Sequence, residues 1–247
     1  LTWVNPGYQA GRFPMFAAGE LPMLISNAGR GSVALDIWYR QYAANEMKDV
    51  KFCFAHTHTG TLHSKQALAD PAQIKGMKIR PSNGTMAAYM SLLGATNVQV
   101  SAPESRDALE KGVADAIVFP WHSIITFGID KVVKFHNDQK LYATTFAWTM
   151  NKGWYDKLSA AQKKVIDDHC NNAWAGKVGA AWGDDEDSGQ GKMEKLPGHT
   201  IVKLTPAQKK AWPLYTQWVE AAGKVGQDGK AALEAFRAEL KKRDALN

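Results

Sequence analysis

The stretch that decides the fold runs over residues 77–119 and reads MKIRPSNGTMAAYMSLLGATNVQVSAPESRDALEKGVADAIVF. Runs of β-branched and other apolar residues at 77–79, 97–100 and 116–119 predict three strands. A helix is predicted in each of the two segments between them, and each helix ends at a glycine, the commonest residue just after a helix. The order β-α-β-α-β with short connections predicts neighbouring parallel strands, and therefore an α/β protein.

Outward from this stretch, further strands are predicted at 50–55, 132–135 and 142–150. From Ser159 onward the pattern becomes helical over a long distance. Apolar residues at three- and four-residue steps predict that one face of this helix packs into the core. These residues are Ile166, Cys170, Ala173, Trp174 and Val178. The acidic run 184–187 is expected to lie on a solvated face.

The composition is ordinary for a globular chain of 247 residues, with 45% hydrophobic and 22% charged residues. No apolar run approaches the roughly 18 residues that a membrane-spanning helix needs. The net charge is +6, from 30 Lys and Arg against 24 Asp and Glu, and the basic residues are scattered along the chain. We therefore expect no nucleic-acid partner, and a mild attraction for small anions.

Arg80 is the strongest candidate for a ligand-binding residue. It ends a predicted strand and precedes Pro81, which holds its backbone extended. Ligands of such sheets collect beyond the carboxyl ends of the strands, and a guanidinium group can hold a carboxylate through two parallel hydrogen bonds. Three aromatic residues at or near strand ends, Phe119, Trp121 and Trp148, are predicted to form the wall of the same pocket.

The segment His56-Thr57-His58, with His63 five residues further on, is the feature most typical of an enzyme. Two histidines two positions apart on a strand point to the same side, as a metal-dependent hydrolase requires. Catalytic zinc usually has three protein ligands with ordered partners, and no motif supplies the third. Three interpretations stay open: a metal site, a role in a ligand pocket, and histidines hydrogen-bonded within the fold.

The two cysteines, Cys53 and Cys170, allow two interpretations. They can pair if the protein is exported, or they can act as small buried apolar residues. Cys53 falls in a predicted strand and Cys170 on the packed face of the long helix, so the sequence favours separate burial. No nucleophile elbow, P-loop or dinucleotide-binding fingerprint occurs, and the sequence offers little to an enzyme hypothesis.

Residues 70–80, Asp-Pro-Ala-Gln-Ile-Lys-Gly-Met-Lys-Ile-Arg, resemble the D-x-K-G-x-K-x-R-x-P region of TRAP-transporter solute-binding proteins of the DctP type. Residues 93–98 are similar to the LGA turn and strand of that family. Residues 105–115 are similar to its E-x-x-x-A-L-x-x-G-x-x-D element. The remaining matching segments are 8–14, 20–23, 127–135 and 151–159, so the resemblance covers nearly the whole chain.

The resemblance implies an α/β, two-lobed periplasmic-binding-protein-like fold with a long helix that spans both lobes. Lobe I would comprise residues 1–59 plus 146–184, and lobe II residues 60–145 plus 185–247. The chains of the family begin earlier, so the resemblance also implies that a signal peptide and a first β-α-β portion of lobe I precede these residues.

Site residues follow from the same resemblance. Arg80 stands at the position of the family's carboxylate-binding arginine. Asn5 falls near an early polar ligand contact, with Tyr8 beside it. Where some members have a second arginine, this chain has Leu62, and where some have an asparagine before a proline, it has Phe119. Both differences replace polar groups with apolar ones, which favours a monocarboxylate with an apolar or aromatic body.

The sequence thus predicts a periplasmic solute-binding protein that captures an organic acid between two lobes and delivers it to the membrane subunits of a TRAP transporter. Arg80 would form the salt bridge, and Asn5 and His58 would supply hydrogen bonds. We expect no enzyme activity, no cofactor, no metal and a monomeric chain. The alternatives are a metal-dependent hydrolase built on His56 and His58, and a sensory ligand-binding domain of the same fold.

Overall fold

The structure, a computed structural model, describes residues 1–210, 223–224 and 226–247. Within that part of the chain, eight strands form one mixed sheet in the order β1-β7-β2-β5-β3-β4, and β6 pairs with β2 and β8. The strands are β1 (Thr2–Val4), β2 (Val50–Ser64), β3 (Lys78–Arg80), β4 (Thr96–Asn97), β5 (Ala116–Phe119), β6 (Phe135–Asn137), β7 (Tyr142–Asn151) and β8 (Thr200–Val202).

The α-helices of the described residues flank this sheet. They are α1 (Ala28–Glu46), α2 (Gly84–Leu92), α3 (Ser105–Glu110), α4 (Trp121–Thr126), α5 (Lys152–Asp156), α6 (Ala160–His169), α7 (Asn172–Met193), α8 (Pro206–Lys210) and α9 (Gly229–Lys242). The predicted α/β class is confirmed. Strand β3 lies parallel to both β4 and β5, as the β-α-β-α-β order predicts.

Strand β2 connects the two ends of the sheet. Over Val50–Gly60 it pairs antiparallel with β7, and over Thr61–Ser64 it pairs antiparallel with β5. The sequence predicted only its first six residues as a strand. Its second half is rich in His and Thr rather than strongly apolar residues, and pairing with β7, then with β5 and β6, makes it extended.

The long helical stretch after Ser159 is two helices rather than one. The first, α6, ends at His169, and Asn171 caps the second by accepting hydrogen bonds from the backbone N–H groups of Ala173 and Trp174 at 3.0 and 3.1 Å. This side-chain cap starts a new helix, α7. The expectation of a single long helix from Ser159 is therefore wrong.

The predicted apolar face of that stretch is only partly buried. Four of its five residues are half-buried, and Ala173 is exposed. Cys170, Trp174 and Val178 pack against a small buried cluster formed by Cys53, Phe54 and Ala175. The predicted core face is therefore the border of a shallow apolar groove at the protein surface.

Helix α7 packs on elements from both ends of the sheet. Its first half lies against α1 so closely that a side chain at Gly179 would place Cβ 2.0 Å from Ser32 Oγ. Its second half lies against α4, where a Cβ at Gly189 would come within 2.4 Å of the His122 backbone nitrogen. Glycine at these two positions therefore permits one straight helix to contact both regions.

The proposed division into lobes stays a prediction, but the packing bears on one part of it. Helix α9 packs against α1, where the Trp38 indole N–H donates to the Ala232 carbonyl oxygen at 3.0 Å. This contact favours placing residues 229–247 with lobe I instead of lobe II. Residues 211–222 and 225 of the predicted second lobe lie outside the described residues.

Cys53 and Cys170 form a disulfide bond that closes a separation of 117 residues. The sequence favoured separate burial of the two thiols, and that interpretation is wrong. The break between α6 and α7 turns Cys170 toward β2, which no one-dimensional pattern shows. Among the helices that the structure describes, none has the length and apolar character to cross a membrane.

Candidate functional site

Arg80 is a buried cation at the carboxyl end of β3. Its side chain is almost fully enclosed, with 3% of the residue exposed. The Nε atom donates to the Val100 carbonyl oxygen at 3.3 Å, and the guanidinium carbon lies 5.2 Å from the centre of the Phe119 ring. Its Nη1 atom is buried with no hydrogen-bond partner, and no carboxylate among the described residues forms an ion pair with it.

The turn that follows Arg80 adds further hydrogen-bond donors. Asn83 caps α2 by accepting from the Met86 backbone N–H at 2.8 Å, and its side-chain Nδ2 is buried without a partner. Helix α2 therefore begins four residues after Arg80, and a helix N-terminus favours negative charge. Sequence reasoning missed Asn83, although an asparagine just before Gly84 is a typical N-cap signal.

Tyr142 lies next to this turn at the start of β7. Its ring is 1% exposed and covers Gly60, where an added Cβ would lie 2.5 Å from the ring. Its hydroxyl accepts a hydrogen bond from Thr144 Oγ1 at 3.1 Å and lies beside Ser82, though without well-aligned hydrogen-bond geometry between them. Burial raises the pKa of Tyr142, and the hydrogen bond from Thr144 and the positive charge of Arg80 partly offset this rise.

A second cluster, formed by His56, His58, Phe146 and Trp182, lies further along the same face of the sheet. The His58 ring stacks on Trp182 at 5.1 Å and on Phe146 at 5.5 Å between ring centres. The His56 ring lies 5.2 Å from each of the same two rings. We call these four residues the histidine–aromatic cluster. It joins side chains of β2, β7 and α7.

Both histidines of this cluster are electrically neutral at physiological pH. Burial lowers the pKa of His56 to about 3, and burial together with the neighbouring His56 lowers the pKa of His58 to about 3. Trp148 Nε1 donates to His56 Nδ1 at 3.0 Å. His56 Nε2 and His58 Nδ1 are buried, and neither has a hydrogen-bond partner.

The hydrolase alternative fails on geometry. Among the described residues, no group of three His, Cys, Asp or Glu side chains has positions suited to a metal ion. His56 uses Nδ1 to accept from Trp148, and stacking fixes both rings. The pair therefore has no third ligand of the kind that catalytic zinc requires.

His63 belongs to a different set, a chain of hydrogen-bonded histidines. His63 Nε2 lies 3.0 Å from the Phe119 carbonyl oxygen, and His63 Nδ1 lies 2.8 Å from His136 Nδ1. His136 Nε2 lies 2.9 Å from His199 Nδ1, and Lys134 Nζ lies 3.1 Å from His199 Nε2. We call His63, His136 and His199 the histidine chain.

Donor and acceptor roles in the histidine chain follow from its two ends. An ammonium group only donates, so Lys134 donates to His199 Nε2, and the neutral ring of His199 carries its proton on Nδ1. His199 then donates to His136, and His136 donates to His63. His63 donates to the Phe119 carbonyl oxygen, so every nitrogen of the chain has a partner.

The predicted site residues fall in several places. Phe119 contacts Arg80, and His58 lies in the histidine–aromatic cluster. The edge of Trp121 packs against His63 with 5.0 Å between ring centres, so Trp121 contacts the histidine chain. Trp148 borders the surface groove at Cys53 and contacts the cluster at His56, through a hydrogen bond and a tilted ring contact at 6.2 Å.

Asn5 and Tyr8 lie at the 3₁₀ turn Pro6–Tyr8, which packs on the start of α2. Asn5 Oδ1 caps the turn by accepting from the Gly7 N–H at 2.9 Å, and its Nδ2 is buried without a partner. Tyr8 is 62% exposed. The assignment of these residues to ligand binding stays a prediction.

The sequence analysis did not identify two residues of the site, Trp182 and Glu186, which lie one turn apart on α7. Glu186 is buried, although the acidic run 184–187 was expected to be solvated. Its carboxylate accepts from the backbone N–H groups of His122 and Ser123 at the start of α4, at 2.8 and 2.9 Å. The only sequence signal was the position of Trp182 four residues before Glu186, on one face of a helix.

A buried carboxyl group, Glu20, lies on the other side of β7. It accepts hydrogen bonds from Thr85 Oγ1 at 2.9 Å and from Thr145 Oγ1 at 3.0 Å, so it connects the start of α2 with β7. Burial raises the pKa of Glu20 to about 7, although both hydrogen bonds favour the ionised form. This carboxyl therefore titrates near neutral pH.

Fold and site together define a binding protein, with a buried, unpaired cation and an aromatic cluster joined by a long strand. The chain matches the family model of bacterial extracellular solute-binding proteins, family 7 (DctP), over residues 1–221. The chain belongs to this family. Its members are substrate-binding proteins and not enzymes, so the expectation of no enzyme activity is confirmed.

Three relatives illustrate the likeness. A solute-binding protein of Verminephrobacter eiseniae (strain EF01-2) is 28% identical over 246 residues, which is 96% of this chain and 71% of that protein. A TRAP solute binding protein from Rhodoferax ferrireducens T118, solved with copurified benzoate, is 28% identical, with a TM-score of 0.91 over 98% of this chain and 79% of that one.

The third relative is a marine metagenome TRAP solute binding protein from an unidentified microbe, described as specific for aromatic acid ligands and solved with 3-hydroxybenzoate. It is 32% identical, with a TM-score of 0.90 over 98% of this chain and 79% of that one. The predicted resemblance to TRAP solute-binding proteins and the predicted periplasmic-binding-protein-like fold are therefore confirmed.

Proposed function

We propose that this protein captures an aromatic monocarboxylate and delivers it to the membrane subunits of a TRAP transporter. The observation that carries the proposal is the state of Arg80. A buried charge with an unsatisfied donor is costly, because burial removes its hydration. Val100 and Phe119 contact the guanidinium group, but neither supplies a partner for Nη1. A ligand carboxylate at Nη1 would supply the missing partner.

The charge balance around Arg80 favours one carboxylate. Arg80 is a single cation, and the two histidines further along the sheet face are neutral because burial lowers the pKa of each to about 3. A second carboxylate on the ligand would thus be buried opposite neutral groups. The aromatic character follows from Phe119 at the guanidinium and from Phe146 and Trp182 beyond it.

Delivery and location belong to the same proposal. The family is extracytoplasmic, and the Cys53–Cys170 disulfide is of the kind that persists in an oxidising compartment such as the bacterial periplasm. The lobes would close on the acid, and the closed, loaded protein would be the form that the membrane subunits recognise. We expect the soluble chain to be a monomer, which light scattering would test.

The test is calorimetric titration of the protein with benzoate, mandelate and aliphatic acids. We expect binding of aromatic monocarboxylates and a loss of at least tenfold in affinity for Arg80→Met, because a charge-assisted hydrogen bond contributes roughly 1.5–3 kcal/mol. Arg80→Lys should also weaken binding, since the planar fork is lost.

The matched control is Arg30→Met, which removes a 54% exposed arginine side chain paired with Asp244 at the surface. It should leave affinity unchanged. Undiminished affinity of Arg80→Met for aromatic acids would refute the role of Arg80, and absence of binding to every aromatic acid would refute the proposed ligand class.

A further inference from the structure

The histidine–aromatic cluster contains two buried nitrogen atoms that the fold leaves without partners, His56 Nε2 and His58 Nδ1. His56 is fully buried and His58 is 2% exposed. Buried polar atoms in proteins nearly always have hydrogen-bond partners, so two orphans on adjacent side chains need an explanation.

The protonation of His56 can be deduced from its neighbour. An indole N–H only donates, so His56 Nδ1 must accept from Trp148 Nε1. A neutral imidazole carries one proton, and that proton therefore resides on Nε2. The orphan atom of His56 is thus an N–H donor. His58, also neutral, offers one donor and one acceptor.

The orientation of both rings is fixed before any ligand arrives. Phe146 and Trp182 stack on each other at 5.2 Å with 15° between their planes, and both histidine rings lie within 5.5 Å of each of them. Groups held in place in this way lose little freedom when a ligand binds.

The face of β2 that carries this cluster continues through Gly60 and Tyr142 toward Arg80. His58 and Gly60 lie on the same face of β2, two residues apart, or about 7 Å along a strand. Gly60 pairs with Tyr142, whose hydroxyl lies beside Ser82 and within the field of Arg80. A ring whose carboxylate meets Arg80 would bring a substituent on its far side toward His58.

We propose that the His56–His58 pair recognises a hydroxyl substituent on the ring of the bound acid, so that the protein selects hydroxylated aromatic monocarboxylates. This inference rests on the proposed function. A hydroxyl is neutral and can both donate and accept, which matches a neutral histidine pair. A site built to hydrogen-bond a hydroxyl discriminates strongly against the analogue that lacks it, because its own polar groups are then left unpaired.

The experiment is calorimetric titration of the wild-type protein with benzoate, 3-hydroxybenzoate, 4-hydroxybenzoate and benzene-1,3-dicarboxylate. We expect at least one hydroxybenzoate to bind at least tenfold more tightly than benzoate, and the dicarboxylate to bind more weakly than both. This comparison needs no variant. Equal affinities for benzoate and both hydroxybenzoates would overturn the inference and leave the proposed function intact.

Two variants test whether His58 is the residue that causes the preference for hydroxybenzoate. His58→Leu should abolish the preference for hydroxybenzoate over benzoate, so that the ratio of the two dissociation constants falls to about 1. His58→Asn keeps a polar atom near the position of Nδ1, so it should retain part of the preference. The control is His169→Leu, which removes an exposed histidine whose ring lies tilted against Trp174 at 4.9 Å.

The remaining outcomes separate the two proposals. A preference for hydroxybenzoate that survives His58→Leu unchanged would overturn the role of His58. An equal loss of affinity for both acids in His58→Leu and His58→Asn would assign the pair a structural role only. If the wild-type protein binds no aromatic acid, the proposed function fails as well, and Arg80→Met would then change nothing.

Discussion

Strand β2 carries histidines from two different sets, which differ in whether the ring nitrogens have hydrogen-bond partners within the protein. His63, at one end, belongs to the histidine chain, in which every nitrogen has a partner from Lys134 through to the Phe119 carbonyl. His56 and His58, nearer the middle, lie among aromatic rings with one orphan nitrogen each. His56, His58 and His63 are all deeply buried, and burial lowers the pKa of each to about 3.

The difference shows that a shifted pKa by itself does not identify a binding site. Burial alone lowers the pKa of a histidine, whether its hydrogen bonds are complete or not. A satisfied network fixes the fold, whereas an orphan pair in a rigid setting leaves hydrogen-bonding capacity for a ligand. The two sets therefore should respond differently to substitution.

The largest expected effect on the free energy of unfolding comes from removal of the disulfide bond, which lies close to the residues that contact His56. Cys53 precedes Phe54, whose ring stacks on Trp148 at 5.6 Å, and Trp148 donates to His56. The double variant C53S/C170S should lose about 4–5 kcal/mol of unfolding free energy, because the bond closes a 117-residue separation in the unfolded chain.

Differential scanning calorimetry would measure this as a Tm lower by roughly 10–20 °C. Reducing agent should lower the Tm of the wild-type protein by a similar amount and leave the variant unchanged. An equal Tm for the variant and the oxidised wild-type protein would contradict the stabilising role of the bond.

The second prediction contrasts the two sets directly. His136→Leu removes the middle of the histidine chain and leaves a buried nitrogen of His63 and a nitrogen of the half-buried His199 unpaired, which should cost about 2–4 kcal/mol. His58→Leu removes an atom that had no partner, so its cost should be smaller by at least about 1 kcal/mol.

Urea denaturation of both variants at pH 7.5 without ligand gives the two values. Equal losses would mean that the cluster is as structural as the chain. A larger loss for His58→Leu would reverse the comparison between the two sets.

The third prediction tests whether burial acts on the pKa of an acid as it acts on the pKa values of the histidines. The pKa of Glu20 is raised to about 7 from an ordinary 4.5, so the folded state holds a proton that the unfolded state has released between these pH values. Stability from the neutral carboxyl is fully present below about pH 4.5 and is lost as pH rises through about 7.

Glu20→Gln removes this dependence. Its stability relative to the wild-type protein should rise by about 1.4 kcal/mol per pH unit between pH 4.5 and 7 and then level off. Urea denaturation of both proteins at pH 4.5, 6 and 7.5 measures the difference. A flat difference for Glu20→Gln would contradict the raised pKa.

Two residues of the candidate site could be predicted from the sequence, because the signals that identify them are neighbours in the chain. Arg80 between a strand and a proline predicted a cation at a strand end, and Phe119 before Pro120 predicted an aromatic side chain near it. The structure places these two side chains in contact. The disulfide, Trp182 and Glu186 were not predictable in this way, since their partners lie 60 or more residues away in sequence.

The sequence by itself determined the α/β class, the parallel β3–β4 and β3–β5 pairs and the position of Arg80, because strand periodicity, helix caps and glycine stops act over a few residues. Only the tertiary structure decided which histidines are satisfied and which are orphaned. Hydrogen-bond satisfaction depends on groups that packing brings together from distant segments, as Trp148 does for His56 and His136 for His63. The residues next to a histidine in the sequence therefore do not indicate whether its ring nitrogens will have hydrogen-bond partners.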